Sequence, residues 1–314
     1  MEYRNLGHAG MKVSAIGIGC NQFGGVVDKD GTKAIIHRAR DLGINFFDTA
    51  NVYSAGVSEE FVGAALQGQW DKVVIATKGR FKMGDGPNDF GASRYHITNA
   101  VEASLRRLGT DHIDLYQIHR WDESVPVEEM MRTLDDLVRV GKVRYIGASQ
   151  FSAWQLSHSN DVAEMMGWEQ FVTVQAHHHI LERGVERELL PYCQYANIGL
   201  LPYFPLAGGF LTGKYKRGEP APEGSRGERS TYVQRYLTDE NFNKLDKLRV
   251  FADSRGHTLH DLAFAWLLSN KHVPSVIAGS TKPEQVTMNA NTIEWKLSEE
   301  DLNELNGMLQ LSEA

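Results

Sequence analysis

NFFDTA at 45–50, VVIATK at 73–78 and IDLYQIH at 113–119 share one design: a short β-branched or aromatic run with polar, titratable side chains at its end. A strand with apolar residues on both faces must be covered on both, as in a parallel sheet packed against helices. The same design returns as VSAIGIG at 13–19, VRYIGAS at 143–149, FVTVQA at 171–176, IGLLPY at 198–203 and PSVIAGS at 274–280. These eight runs recur roughly every 25–40 residues with amphipathic segments between them, which is the rhythm of a closed (β/α)8 TIM barrel. An open doubly wound sheet is the competing architecture.

Helix signals fill the intervals. SEEFVGAAL begins at Ser58, a candidate N-cap, and carries Phe61, Val62, Ala65 and Leu66 on one stripe. Val101, Leu105 and Leu108 repeat at helical spacing before a stop at Gly109, and Pro126 and Gly141 bracket another helix. Two pieces stand outside the repeat. YRNLG…MKVSA near the N-terminus reads as a β-hairpin capping the barrel bottom, and a long polar loop, about 204–238, follows the seventh strand. With a C-terminal helix, residues 1–314 are expected to form a single barrel domain.

The bulk properties narrow the function. The chain has 314 residues, of which 42% are hydrophobic, enough for a large core. Its formal charge of -7, with no basic cluster, argues against nucleic acid and anionic membranes as partners. Only Cys20 and Cys193 are present, which suits reduced thiols in a cytoplasmic protein, with one disulfide as the alternative. The N-terminus lacks an apolar signal core, and no apolar stretch is long enough to cross a bilayer.

Polar residues at the C-terminal ends of barrel strands converge on a shared mouth and are poorly explained as core. Asp48, Lys78 and His119 end three consecutive strands, and Tyr53 lies five residues beyond Asp48. Each has an ordinary explanation alone: a cap, a surface lysine, a packed loop, a satisfied histidine. Together they form an acid–base set. A carbonyl that accepts hydride develops negative charge on oxygen and needs a proton. Tyr53 is the donor, Lys78 favours its phenolate, Asp48 holds the lysine, and His119 stabilises the oxygen.

Other features lead elsewhere or nowhere. No GxGxxG is present, so a nucleotide would not bind in Rossmann fashion, and the GIG at 17–19 is equally a turn or a close backbone contact. No metal site is expected: HHH at 177–179 alternates direction in an extended segment and lacks acidic or cysteine partners at ligand spacing. Asp111 and Asp114 read as a turn rather than a carboxylate pair. Phe23, Trp121 and Trp154 lie in expected mouth loops and are candidates for an apolar substrate wall.

FFDTANVY at 46–53, IATK at 75–78, DLYQIHRWD at 114–122, PLAGGFLTGKY at 205–215 and IAGSTKPEQV at 277–286 resemble the aldo-keto reductase family, including its bacterial general aldehyde reductases. The resemblance covers nearly the whole chain. It implies proton transfer by Tyr53, tuned by Asp48 and Lys78, with His119 orienting the substrate. It also implies an extended nicotinamide cofactor across the mouth. Ser149, Gln150 (where Asn is usual) and Gln175 would hold the carboxamide, and His178 would stand where a tyrosine stacks on the nicotinamide. Leu206, Gly208, Leu211 and Lys214 belong to the loop that would fold over the pyrophosphate, with Phe204 where Ser is common. Gly279, Ser280, Thr281, Lys282, Gln285 and Asn289 would line the adenosine end. NADPH-specific relatives place cations at the positions of Gly279 and Gln285; here Lys282 or a basic residue of the 214–229 loop would compensate. NADP(H) is therefore favoured and NAD(H) is the alternative. The expected activity is NAD(P)H-dependent reduction of an aldehyde or ketone. Oxidation of a sugar or small alcohol and a cofactor-bound regulatory subunit are the competing functions, and homo-oligomers remain open.

Overall fold

A computed structural model of the chain describes residues 1–309. The expected domain runs on to 314, so its last stretch, 310–314, lies outside the described residues. The hairpin is β1 (Tyr3–Asn5) and β2 (Lys12–Ser14), paired antiparallel. The barrel strands are β3 (Ile16–Gly19), β4 (Phe46–Asp48), β5 (Val74–Gly79), β6 (Ile113–Ile118), β7 (Val143–Ser149), β8 (Thr173–His177), β9 (Gly199–Tyr203) and β10 (Val276–Gly279). Each of the eight apolar runs overlaps one of them, with β5 and β8 each ending one residue beyond its run. The first run splits, because residues 13–14 belong to the hairpin. The strands are parallel in the order β10-β3-β4-β5-β6-β7-β8-β9. Across the remaining gap, Leu200 of β9 donates its N–H to the His272 carbonyl just ahead of β10, at 2.8 Å.

The surrounding helices are α1 (Lys29–Asp41), α2 (Val57–Leu66), α3 (Arg94–Leu108), α4 (Val127–Arg139), α5 (Ala153–Met166) and α6 (Leu189–Ala196). They continue as α7 (Arg226–Arg229), α8 (Thr231–Gln234), α9 (Asp239–Asp253), α10 (Leu259–Leu268), α11 (Pro283–Asn291) and α12 (Glu299–Leu309). Gly109 ends α3 in the left-handed conformation, and Pro126 and Gly141 flank α4 as expected. Ser58 is not the cap of α2. The cap is Gly56, two residues earlier, and the Ser58 hydroxyl is buried between the Cys20 carbonyl and Thr49 Oγ1. The 204–238 segment is also more ordered than a polar loop. It holds a 3-10 turn at Ala207–Thr212 and α7 and α8, tied together by Tyr215, whose hydroxyl donates to the Gly208 carbonyl and accepts from Gly227 N–H.

Side-chain alternation sorts the strands into two shells. Phe46, Val74, Ala76, Leu115, Val172, Leu201 and Ile277 meet inside the barrel with Leu6, Ala9 and Val13 of the hairpin, which therefore plugs the bottom. Ile16, Phe47, Ile75, Ile146, Val174 and Leu200 face the helices instead. On β3 the inward positions are glycines for a steric reason: a Cβ on Gly17 would come within 2.8 Å of the Phe46 ring. Two residues above the inner apolar layer, the same inward direction brings Asp48, Lys78, Gln117 and Tyr203 to the mouth.

Candidate active site

The tetrad assembles where alternation places it. Lys78 is fully buried, and its Nζ donates to Asp48 Oδ2 at 2.6 Å, the Thr49 carbonyl at 2.8 Å and the Tyr53 hydroxyl at 3.4 Å. Asp48 Oδ1 accepts from Gln117 Nε2 at 3.0 Å and Gln175 Nε2 at 3.1 Å. The His119 ring meets Tyr53 edge-on at 5.8 Å between centroids and Phe81 at 4.6 Å.

These surroundings set the charges. Burial is the largest influence on Lys78 and opposes its charge, but Asp48 and Tyr53 outweigh it and the ammonium pKa lies above its ordinary value. Tyr53 departs from the simplest expectation. Burial raises its pKa and wins over the lowering by Lys78, so the phenol is firmly protonated at neutral pH. Burial, then Lys78 and Arg80, push His119 down to about 2, so its imidazole is neutral.

The turn carrying Tyr53 is conformationally unusual. Ser54 (φ 48°), Ala55 (φ 54°) and Gly56 (φ 98°) are left-handed in succession, a conformation that costs an L-residue roughly 1–2 kcal/mol. Ser54 Oγ donates to the Phe23 carbonyl, and the Arg107 side chain lies where a Cβ on Gly56 would be. Arg107 in turn pairs with buried Glu59 at 2.7 Å, and Glu59 accepts from Thr77, the neighbour of Lys78. The strained turn is thereby clamped onto the strand that presents the lysine.

Of the proposed pocket walls, Trp121 and Trp154 meet edge-on at 5.6 Å, and Trp121 also packs on Phe151. Phe23 is not a wall: its ring is fully buried in the core. Phe81, three residues after Lys78, packs on the His119 ring, a contact that the sequence reading did not include.

The cofactor candidates divide. Ser149, at the end of β7, and Gln175, in the middle of β8, are buried and paired in register, and Gln150 (φ 55°) donates its side-chain amide to the His119 carbonyl at 3.4 Å. His178 does not reach the mouth. Alternation turns it outward, where it packs on Trp266 and its Nδ1 meets the Glu182 carbonyl at 3.2 Å. The inward aromatic groups at this level are His177 and Tyr203, stacked at 5.3 Å and 12°. His179 packs edge-on against His177 at 4.9 Å and shares the Tyr236 hydroxyl with it, so only His178 stands apart from the other two.

Phe204, Ala207, Gly208 and Gly209 all have positive φ, and the turn is closed by the Ala207 and Gly209 N–H groups donating to the Phe204 and Leu206 carbonyls at 2.9 and 2.8 Å. A Cβ on Gly209 would strike Lys214, whose ammonium therefore lies over the turn. Leu211 belongs to the same closed turn: its side chain is core and its N–H is bonded to the Leu206 carbonyl. At the adenosine end, Gln285 Oε1 accepts from Thr281 N–H, and Asn289 is held between His260 and Ser280. Lys282 is the exposed residue that precedes α11. Arg226, from the 214–229 loop, reaches this end: its guanidinium is 3.4 Å from Asn21 Oδ1, covers the Phe204 ring and lies near Gly279. It has no carboxylate partner among the described residues. Two cations over this loop, Lys214 and the carboxylate-free Arg226, beside a strand-end glycine fit a dinucleotide phosphate chain.

The aldo/keto reductase family pattern matches residues 15–310. The chain is 35% identical to a versiconal hemiacetal acetate reductase of Aspergillus parasiticus, over 97% of this chain and 96% of that protein. It is 39% identical to a probable voltage-gated potassium channel subunit beta of Arabidopsis thaliana, over 94% and 92%. It is 37% identical to the oxidoreductase YrpG of Bacillus subtilis, over 98% and 95%. Similar chains thus come from fungi, plants and bacteria, and no bacterial branch is singled out. The chain belongs to the aldo/keto reductase family.

Proposed function

We propose that this oxidoreductase reduces an aldehyde or ketone at the barrel mouth, with Tyr53 as the proton donor. The observation that carries the assignment is the buried Asp48–Lys78–Tyr53 contact, at 2.6 and 3.4 Å, with a neutral His119 ring against the same phenol. A bound nicotinamide nucleotide supplies the hydride. As charge develops on the carbonyl oxygen, the Tyr53 hydroxyl transfers its proton and His119, a neutral donor, stabilises the oxygen. Lys78 stabilises the phenolate left behind, and Asp48 keeps the lysine charged. In reverse, the phenolate is the base for alcohol oxidation.

Family members generally use NADP(H) and sometimes NAD(H). We favour NADP(H) here: the unpaired Arg226 beside Gly279 supports a phosphate contact that neither Gly279 nor Gln285 can make. Ser149, Gln150 and Gln175 are assigned to the carboxamide, Tyr203 rather than His178 to the nicotinamide face, and Phe81, Trp121 and Trp154 to the substrate wall. A cytoplasmic setting fits the two cysteines, both free and buried. No helix among the described residues is long and apolar enough to cross a membrane.

A second reading, a cofactor-bound channel subunit, is favoured by the 39% identity to the plant channel subunit. Turnover separates the two. The test compares kcat/KM for NADPH, NADH, NADP+ and NAD+ over panels of aldehydes, ketones and alcohols. NADPH-dependent carbonyl reduction is the expected result. Stoichiometric nucleotide binding without turnover on any panel member would overturn it in favour of the subunit, and faster alcohol oxidation with NAD+ would make the enzyme a dehydrogenase.

A further inference from the structure

Asp48 anchors the lysine, and something must anchor Asp48. Its Oδ2 faces Lys78, while Oδ1 receives two amide N–H groups, from Gln117 at 3.0 Å and Gln175 at 3.1 Å. Gln175 sits at the proposed carboxamide site, so its side chain is shared with nucleotide binding. Gln117 lies fully buried on β6, two residues below His119. Its Oε1 has no hydrogen-bond partner among the described residues. An amide with an orphaned buried oxygen is less stable there than an apolar side chain of similar shape, such as that of Leu115 one layer down. The donor end must therefore explain why an amide occupies the site. The neighbouring strand makes room for it: a Cβ on Gly147 would come within 3.1 Å of Gln117 Cγ.

We propose that Gln117 is a positioning residue for the proton donor: its amide fixes the orientation of Asp48, so that Oδ2 meets Lys78 and Lys78 stays charged beside Tyr53. This rests on the assignment of Tyr53 as the acid. The fixed carboxylate accepts three donors, one on Oδ2 and two on Oδ1. Without Gln117 the carboxylate is free to rotate about its side chain, and the lysine loses its fixed partner.

Two substitutions test the role. Gln117→Met removes the donor and keeps the bulk. Gln117→Glu keeps the shape, and its protonated carboxyl donates to Asp48 as the amide does. When ionised it cannot donate, and it sets a second negative charge about 3 Å from the first. Two carboxylates that close share a proton, so one macroscopic pKa of the pair is raised above the ordinary ~4.3 of Glu. The Glu variant should then have near wild-type kcat at acid pH and lose roughly 10–100-fold as pH rises through that raised value. The Met variant should be low by a similar factor at every pH, with nucleotide affinity close to wild type in both.

An activity-independent readout runs alongside. A folded pKa raised above the unfolded one gives stability that is present below the unfolded value and lost as pH rises through the folded one. The thermal midpoint of the Glu variant, relative to wild type, should therefore fall over the same pH range, while the Met difference stays flat. Wild-type kcat in Gln117→Met, or matching pH profiles for the two variants, would overturn the proposal. If the wild-type protein reduces no carbonyl at all, the assignment of Tyr53 fails, and the stability arm still judges the contact: a flat Glu profile refutes it.

Discussion

Replacing Asp48 with Asn leaves the shape of the site and removes the countercharge of a fully buried lysine. At 2.6 Å the Lys78–Asp48 attraction is about 6 kcal/mol gross for an effective dielectric near 20. Loss of one partner from a buried pair costs about 3–5 kcal/mol net, because the other charge is left uncompensated. For a chain of this size that corresponds to a fall in Tm of the order of 10 °C. The pH dependence identifies the cause. In the wild type the Lys78 pKa is raised, so its stabilisation is complete below the unfolded value near ~10.4 and is lost only as pH rises through the folded one. Stability from this group is therefore flat through neutral pH. In Asp48→Asn burial dominates, and the folded pKa drops below the unfolded one. Unfolding then takes up a proton between the two values, and the variant gains stability as pH rises, by at most about 1.4 kcal/mol per pH unit. Urea unfolding of both proteins from roughly pH 6 to 9 should show a deficit that shrinks toward alkaline pH. A deficit under about 1 kcal/mol, or one that ignores pH, would refute the reasoning.

Three further outcomes are expected. Arg226→Met should raise the Kd for NADPH about 10–100-fold and that for NADH less, as read by fluorescence titration; an equal effect on both would move the contact to the pyrophosphate. Gly208→Ala would place a Cβ 2.4 Å from Val233 Cγ2 at a φ of 68°, so urea unfolding should show a loss of about 1–3 kcal/mol, with weaker nucleotide binding as the α8 segment is displaced. His119, whose pKa is pushed down to about 2, should add no inflection to kcat/KM from roughly pH 5 to 9, and its ring NMR shifts should stay flat over that range.

The barrel was legible in the sequence because strands covered on both faces appear as unbroken apolar runs, and every run proved to mark a strand to within a few residues. The tetrad was legible for a related reason: Asp48, Lys78 and His119 are polar groups at strand ends, where core packing has no use for them. What failed was parity. In HHH at 177–179 one residue of register decides between the mouth and the helix layer, and the inward positions fell to His177 and Tyr203 instead of His178. Gln117 could have been found by the same count, since it lies two residues from His119 on one face of a strand. Ser58 was not legible as a buried hydroxyl because its partner, the Cys20 carbonyl, comes from a distant segment. Arg226 looked like one more charge in a polar loop; only the packing of Tyr215 and Val233 on Gly208 and Gly227 brings that loop over the mouth.

Single-turnover hydride transfer in Tyr53→Phe, with NADPH pre-bound and an aldehyde that the wild type reduces, tests the assignment of the acid most directly. The rate should fall about 10²–10⁴-fold with the nucleotide Kd unchanged. Transfer at the wild-type rate would contradict it.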